Sequence, residues 1–223
     1  EHLEATAAKR LKQIAADLGF GVVTREDDAF VLGSGALRRH RVDPTFGLPA
    51  TEGEQVRDWM AESTDILWPY DAKTLEAVAA PEVTQLLWPY RTGLSDRVAY
   101  GKSQIERGLQ WFEYSMFFKG RFREPLSIAY GEIATHNHFV LDRGGKVFKQ
   151  TAPVIKLPAG SSEDDHLGLL GLLNSSVACF WLQQVCHNKG RPGAEVAGAD
   201  ERYEMRYAIN ASNVAELPVC EGR

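Results

Sequence analysis

Between Leu126 and Leu157 the chain reads LSIAYGEIATHNHFVLDRGGKVFKQTAPVIKL, and these residues constrain the fold more than any other stretch. The apolar runs at 127–130 and 138–141 have the length of strands rather than of helices. Asp142-Arg143-Gly144-Gly145-Lys146 then supplies two glycines for the positive φ angles that a hairpin requires, so Val147-Phe148 is expected to begin a return strand. Val154 to Leu157, bounded by Pro153 and Pro158, makes a further strand. Arg121 and Arg123 precede this β-rich core, and Arg143, Lys146, Lys149 and Lys156 lie within it, which describes a basic surface on a sheet scaffold.

Charge is distributed unevenly. The net charge of the 223 residues is −5, yet residues 91–156 carry eleven Lys and Arg against six acids, so this segment is +5 and the remainder −10. One basic face on an acidic chain suits a polyanion; it also suits a solvated surface with no partner. Hydrophobic content of 44% and charged content of 25% are those of a globular protein, one large domain or two small ones. No run approaches the roughly 18 apolar residues of a membrane span, so no membrane partner and a cytoplasmic location are expected. Cys179, Cys186 and Cys220 are few and widely spaced, as reduced thiols are. The chain opens on Glu1 rather than Met, and it is expected to be an excised piece with further domains upstream.

Taken in order, Leu3, Ala7, Leu11, Ile14 and Leu18 fall at helical spacing and predict a helix over 2–18, stopped by Gly19 and Gly21. Residues 21–23 and 29–32 predict a strand pair across a polar turn. Gly33-Ser34-Gly35 reads as a turn, and Leu37 to Arg41 as a basic cluster suited equally to phosphate or to solvent. Trp-Pro-Tyr occurs at 68–70 and again at 88–90, each time after an apolar pair, which predicts two terminating or edge strands with a helix capped by Asp71 between them. Tyr70 and Tyr90 have two readings, stacking on bases or sugars and, more commonly, core or rim packing. Over 92–124 cations alternate with aromatics (Arg97, Tyr100, Lys102, Arg107, Trp111, Tyr114, Lys119), as on nucleic-acid faces and on ordinary amphipathic surfaces. Ser162 followed by three acids predicts a helix start. From His166 to about His187 the chain is mostly apolar, one long supporting helix with a polar bend at 174–176. Residues 188–200 read as a loop in which Lys189 and Arg191 are further candidates for a nucleic-acid contact.

An ordered series of segments carries a resemblance: GEQVRDW at 53–59, ILWPYD at 66–71, LLWPYR at 86–91, the 126–157 core, LLGLLNSSVACFWLQQVCHNKG at 169–190, and the closing RYEMRY and LPV. Together they resemble the C-terminal recognition region of the adenine-specific DNA methyltransferases of bacterial phage defence, the PglX type of BREX systems, and more distantly the TaqI-like specificity domains of restriction–modification enzymes. The resemblance implies a target-recognition module that binds double-stranded DNA while a catalytic half, using S-adenosylmethionine, methylates adenine. It implies other defence-system proteins as a second class of partner. Under this reading, residues 1–52 link from the catalytic half, 53–160 form the β-rich recognition region and 161–223 a helical support. The DNA-binding candidates are Arg97, Lys102, Arg107, Lys119, Arg121, Arg123, Arg143, Lys146 and Lys149 for phosphate or guanine, and His136 and Asn137 for base edges.

The chain carries no Asn-Pro-Pro-Tyr-like tetrad and no methyl-donor motif, so no catalytic residue and no cofactor are expected within it. His136-Asn137-His138 spells the name of a nuclease motif, but that motif is spread over a ββα-metal fold. If these residues lay in a strand, both imidazoles would share a face, with no Cys, Asp or Glu at strong ligand spacing; no metal is expected. The predicted fold is mixed α+β, a largely antiparallel twisted sheet with packed helices. The alternative function is a protein–protein docking module.

Overall fold

A computed structural model describes residues 9–33, 35–57, 59–190 and 205–219. The protein is mixed α+β, and among its named strand pairs only one, Val147–Phe148 with Gly47–Thr51, is parallel. A central four-stranded sheet runs Phe139–Asp142, Ser127–Tyr130, Val154–Lys156 and Asp17–Gly19, all antiparallel. Alternate residues of its strands serve different cores. Ile128, Tyr130, Phe139 and Ile155 pack with Leu173, Leu182 and Val214 on the helical side. Ala129, Val140 and Val154 pack with Val56 and Phe148 on the other. Burial on both faces is why residues 127–130 read as an unbroken apolar run rather than an alternating one.

A second four-stranded sheet runs Val147–Phe148, Gly47–Thr51, Thr64–Leu67 and Val31–Leu32. It floors an aromatic core of Phe30, Trp68, Tyr70, Phe112 and Tyr114. Gly144 and Gly145 do adopt φ of 102° and 83°. The strand that follows does not return along Phe139–Asp142, however; it crosses into this second sheet, where Ala50 and Thr51 are its partners.

The C-terminal half follows the expected cap and bend. Ser162 Oγ accepts from the Asp165 amide, and Asp165 answers the Ser162 amide, so a capping box opens the helix Glu163–Leu173. The single long helix is in fact two. Asn174 ends the first, and Ser175 caps the second, Ser176–Val185. The Asn174 side chain donates to the Phe139 carbonyl (2.8 Å) and accepts from its amide (2.9 Å), serving the central sheet's edge as a strand would.

Other expectations are corrected. Residues 1–8 lie outside the described residues, and from Lys9 onward the predicted N-terminal helix is absent. Lys9–Arg10 pairs with Pro218–Val219, Leu11–Gln13 is a 3-10 turn, and Asp17–Gly19 joins the central sheet. Leu11 is buried against Leu217, so long-range pairing outweighs local helical periodicity here. Val22–Val23 pairs with Met116–Phe117, and residues 27–30 are helical. The expected helix over 71–80 is a turn whose amides at Lys73 and Thr74 are held by Asp71 Oδ1. Pro81 begins a helix, Pro81–Leu87, instead of ending one. Leu86-Leu87 therefore belong to that helix; the strand at 66–67 does terminate at Leu67, ahead of Pro69, but is internal to its sheet rather than an edge. Residues 136–138 lie outside any strand.

Candidate nucleic-acid interface

Most cations that the sequence places on a phosphate-facing surface are engaged by the protein itself. Arg97 is buried. Its Nε donates to the Leu94 carbonyl (2.9 Å), Nη1 to that of Thr24, and Nη2 to those of Trp111 (3.1 Å) and Glu113 (2.6 Å). Burial pushes its pKa down to about 10, so it remains charged at neutral pH. Arg107 donates to the Ser115 carbonyl (2.6 Å) and to Gln104 Oε1 (2.7 Å). Gln104 in turn donates to the carbonyls of Gln110, Glu113 and Tyr114. Three polar side chains thus gather the carbonyls of residues 94–115, a segment with little regular structure to bond them.

Arg121 grips Asp17 with two bonds of 2.9 Å and donates to the Phe20 carbonyl (2.6 Å). The Asp17 carboxyl, raised by burial but lowered more by this guanidinium, ends below its ordinary value. Lys149 is buried between Asp27 (2.7 Å) and Glu52 (2.6 Å). Lys156 donates to the carbonyls of Glu124 and Leu126, and burial pushes its pKa down to about 8. Lys119 pairs with Glu76, Arg143 with Glu163, and Lys146 with Asp142 and the Ala61 carbonyl. Asn137 donates to the Leu173 carbonyl (2.6 Å) at the end of the first C-terminal helix. Lys102, Arg123 and His136 remain exposed. His136 meets Thr135 Oγ1 at 2.8 Å, and its ring centre lies 4.1 Å from that of His138.

The structure groups residues that the sequence suggested only singly. Trp88, at the start of the second Trp-Pro-Tyr, stands on the surface with the Arg91 guanidinium 4.9 Å from its ring centre; Trp111 closes the group edge-on, 6.1 Å from Trp88. Arg four residues after a leucine run, directly behind Trp-Pro-Tyr, was the available signal. Tyr90, Val98, Tyr100 and Ile105 are also exposed, so residues 88–105 present aromatic and apolar side chains beside Arg91 and Lys102. The carbonyl-gathering side chains of Arg97, Gln104 and Arg107 hold this platform from beneath.

A separate cleft of about 390 Å³ gathers Arg57, His138, Arg206, Thr135, Thr151 and Glu52. It joins the GEQVRDW segment to the 133–138 segment. Gly53 is required there, since a Cβ would stand 2.2 Å from the Thr151 carbonyl oxygen. Arg191, Cys220 and residues 202–204 lie outside the described residues. Among the described residues no group of three or more His, Cys, Asp or Glu could hold a metal ion, and no helix is long and apolar enough to cross a membrane.

No family model matches the chain. Over 226 aligned residues it is 35% identical to a protein of Streptomyces coelicolor named adenine-specific methyltransferase PglX; the alignment covers 98% of this chain and 19% of that protein. The chain thus spans about a fifth of the curated relative it matches. A solved structure of the type IIL restriction-modification enzyme MmeI, described as a complex with DNA, shares its fold with a TM-score of 0.54 at 16% identity, over 81% of this chain and 23% of that one.

Proposed function

We propose that this chain is the target-recognition module of an adenine-specific DNA methyltransferase of a phage-defence system, and that it binds duplex DNA through a TaqI-like specificity region. The observation that carries the reading is the 35% identity, along nearly the whole chain, to a segment of a protein with that activity in its name. The fold shared with MmeI, whose structure is described with DNA, supports it. So does the platform at 88–105, where aromatic faces stand beside Arg91 and Lys102. Cations of this kind neutralise phosphates, and aromatic faces stack on sugars and bases.

In this reading the phosphate contacts come from the exposed Arg91, Lys102 and Arg123, while Arg97, Arg121 and Lys149 shape the scaffold. S-adenosylmethionine would serve the longer protein. The chain's own Gly33 and Gly35 do not fit that donor: they stand between the two-residue strand Val31–Leu32 and a single helical turn, Ala36–Arg39.

The test is fluorescence anisotropy of a randomised duplex pool titrated with the chain at several salt concentrations. Log affinity should fall linearly with log salt, and Arg91→Glu with Lys102→Glu should weaken binding and flatten that slope. Binding that ignores both salt and charge reversal would sink the proposal. It would favour a second reading, a docking module, for which the exposed Val177, Phe180 and Val185 on the helix Ser176–Val185 provide an apolar face.

A further inference from the structure

Two β-hairpins in this protein carry a large aromatic where the backbone favours a small residue. The first pairs Val56–Arg57 with Met60–Ala61, with Trp59 just ahead of the second strand. The second pairs Val98–Ala99 with Lys102–Ser103 across Tyr100 and Gly101. Trp59 has φ of 70°, Tyr100 of 54° and Gly101 of 75°. Of the two favoured two-residue hairpin turns, only type I′ places its second central residue at positive φ, and it prefers Asn-Gly or Asp-Gly. In this left-handed region a Cβ crowds the following carbonyl, and a bulky side chain gains nothing locally in return. The sequences at the tips are Asp58-Trp59 and Tyr100-Gly101, each one substitution away from a preferred pair.

Packing does not explain the aromatics either. Trp59 is 64% exposed and Tyr100 is 81% exposed, with a single sulfur contact from the Tyr100 hydroxyl to Met116 Sδ at 3.9 Å. What the geometry does achieve is display: each ring stands at the end of a two-stranded ribbon. Arg57 faces Met60 across the first ribbon, and Lys102 stands exposed at the tip of the second. A two-stranded ribbon is narrow enough to enter the major groove, and apolar side chains at such positions can wedge between base steps.

We infer that Trp59 and Tyr100 are specificity-determining contacts to duplex DNA, presented on left-handed hairpin tips so that their rings reach the bases. This rests on the DNA-recognition reading above. Arg57 is held by the Gly53 and Val56 carbonyls, so the exposed Lys102 carries the attraction to phosphate beside the second tip; the rings sense how readily a base step opens.

The experiment uses the 223-residue chain, a duplex retained from the randomised pool, and 2-aminopurine placed at each adenine of that duplex in turn. The variants are Trp59→Gly and Tyr100→Asn, which turn the tips into Asp-Gly and Asn-Gly. Each should raise Tm by about 2–4 °C as strain is relieved. Each should also lower affinity about tenfold without altering the salt slope, and abolish 2-aminopurine brightening at one step. Unchanged duplex affinity in both variants overturns the inference while leaving DNA recognition standing, and leaves the tips to a protein partner. A fall in Tm overturns it too, since the rings would then be supporting the fold. If the parent chain binds no duplex at low salt, the recognition reading fails and this inference fails with it.

Discussion

The two Trp-Pro-Tyr copies in this chain have opposite fates. In the first, Trp68 is 1% and Tyr70 2% exposed, directly behind the internal strand Thr64–Leu67. Trp68 stacks on Phe122 at 4.7 Å and meets Tyr70, Tyr114 and Phe117 edge-on. The Tyr70 hydroxyl accepts from the Tyr114 amide, and the Tyr114 hydroxyl donates to the Leu67 carbonyl, so two phenols tie the strand end to residues 112–117. In the second copy the same residues form a 3-10 turn behind a helix, with Trp88 60% and Tyr90 39% exposed. Identical local sequence yields a core in one place and a platform in the other. The difference lies in what arrives over each copy: residues 112–122 cover the first, while Arg91 and the edge of Trp111 leave the second open to solvent.

The sharpest way to break the comparison is to truncate each tryptophan. Trp68→Ala removes the centre of the aromatic core and should destabilise the chain by about 3–5 kcal/mol. Urea denaturation with an unchanged m-value would measure it. A loss below about 1 kcal/mol would mean that Trp68 does not anchor the aromatic core.

Tyr70→Phe tests the hydroxyl alone. It keeps the ring and leaves the buried Tyr114 amide without its acceptor, an effect of about 1–3 kcal/mol. The same variant has a pH signature. Burial holds the Tyr70 phenol well above its ordinary value of 10.0. Above pH 10 the unfolded chain therefore releases a proton that the folded chain retains, and stability falls as pH rises, by about 1.4 kcal/mol per pH unit for each such group. Below pH 10 this contribution is fully present. Tyr114 and Tyr130 are raised by burial as well, so the parent should lose stability steeply in alkali. Tyr70→Phe should flatten that slope by one proton, and parallel slopes would show that the phenol is not buried as described.

The same contrast explains how much the sequence disclosed. The strands at 127–130, 139–142 and 154–156 were legible because both their faces are buried, which leaves unbroken apolar runs between glycine and proline signals. Ser162 and the bend at Asn174 were legible because capping is local chemistry. The 2–18 periodicity misled from Leu11 onward because Leu11, Ile14 and Leu18 bury against the helical-side core from a turn and a strand, a pattern that three spaced apolar residues cannot distinguish from a helix. Cations were legible as a cluster but not as destinations. Arg97 serves four main-chain carbonyls and Arg121 grips Asp17, 104 positions away, and neither role leaves a trace in local spacing. Lys102, Arg123 and His136, which the sequence offered as candidates for a DNA contact, are exposed. The Trp88–Arg91 group was only half visible, and the left-handed tips at Trp59 and Tyr100 were not, because an aromatic in a type I′ position runs against the preferences by which hairpins are recognised.

The finest distinction between the two copies concerns Trp88, where the fold should barely respond. Trp88→Ala removes an exposed ring whose contacts are Arg91 and the edge of Trp111, so stability should change by no more than about 0.5 kcal/mol. Light emission should report the difference that stability does not. Acrylamide reaches an exposed indole and not a buried one, so Trp88→Phe should lower the quenchable fraction of tryptophan fluorescence, whereas Trp68→Phe should leave the quenched component intact and remove emission from the protected one. If both variants lost the same component, the two tripeptides would share an environment, and the platform at 88–105 would have to be packed against something in solution. The quenching experiment thus separates surface from core within one repeated sequence, and it does so before any nucleic acid is added.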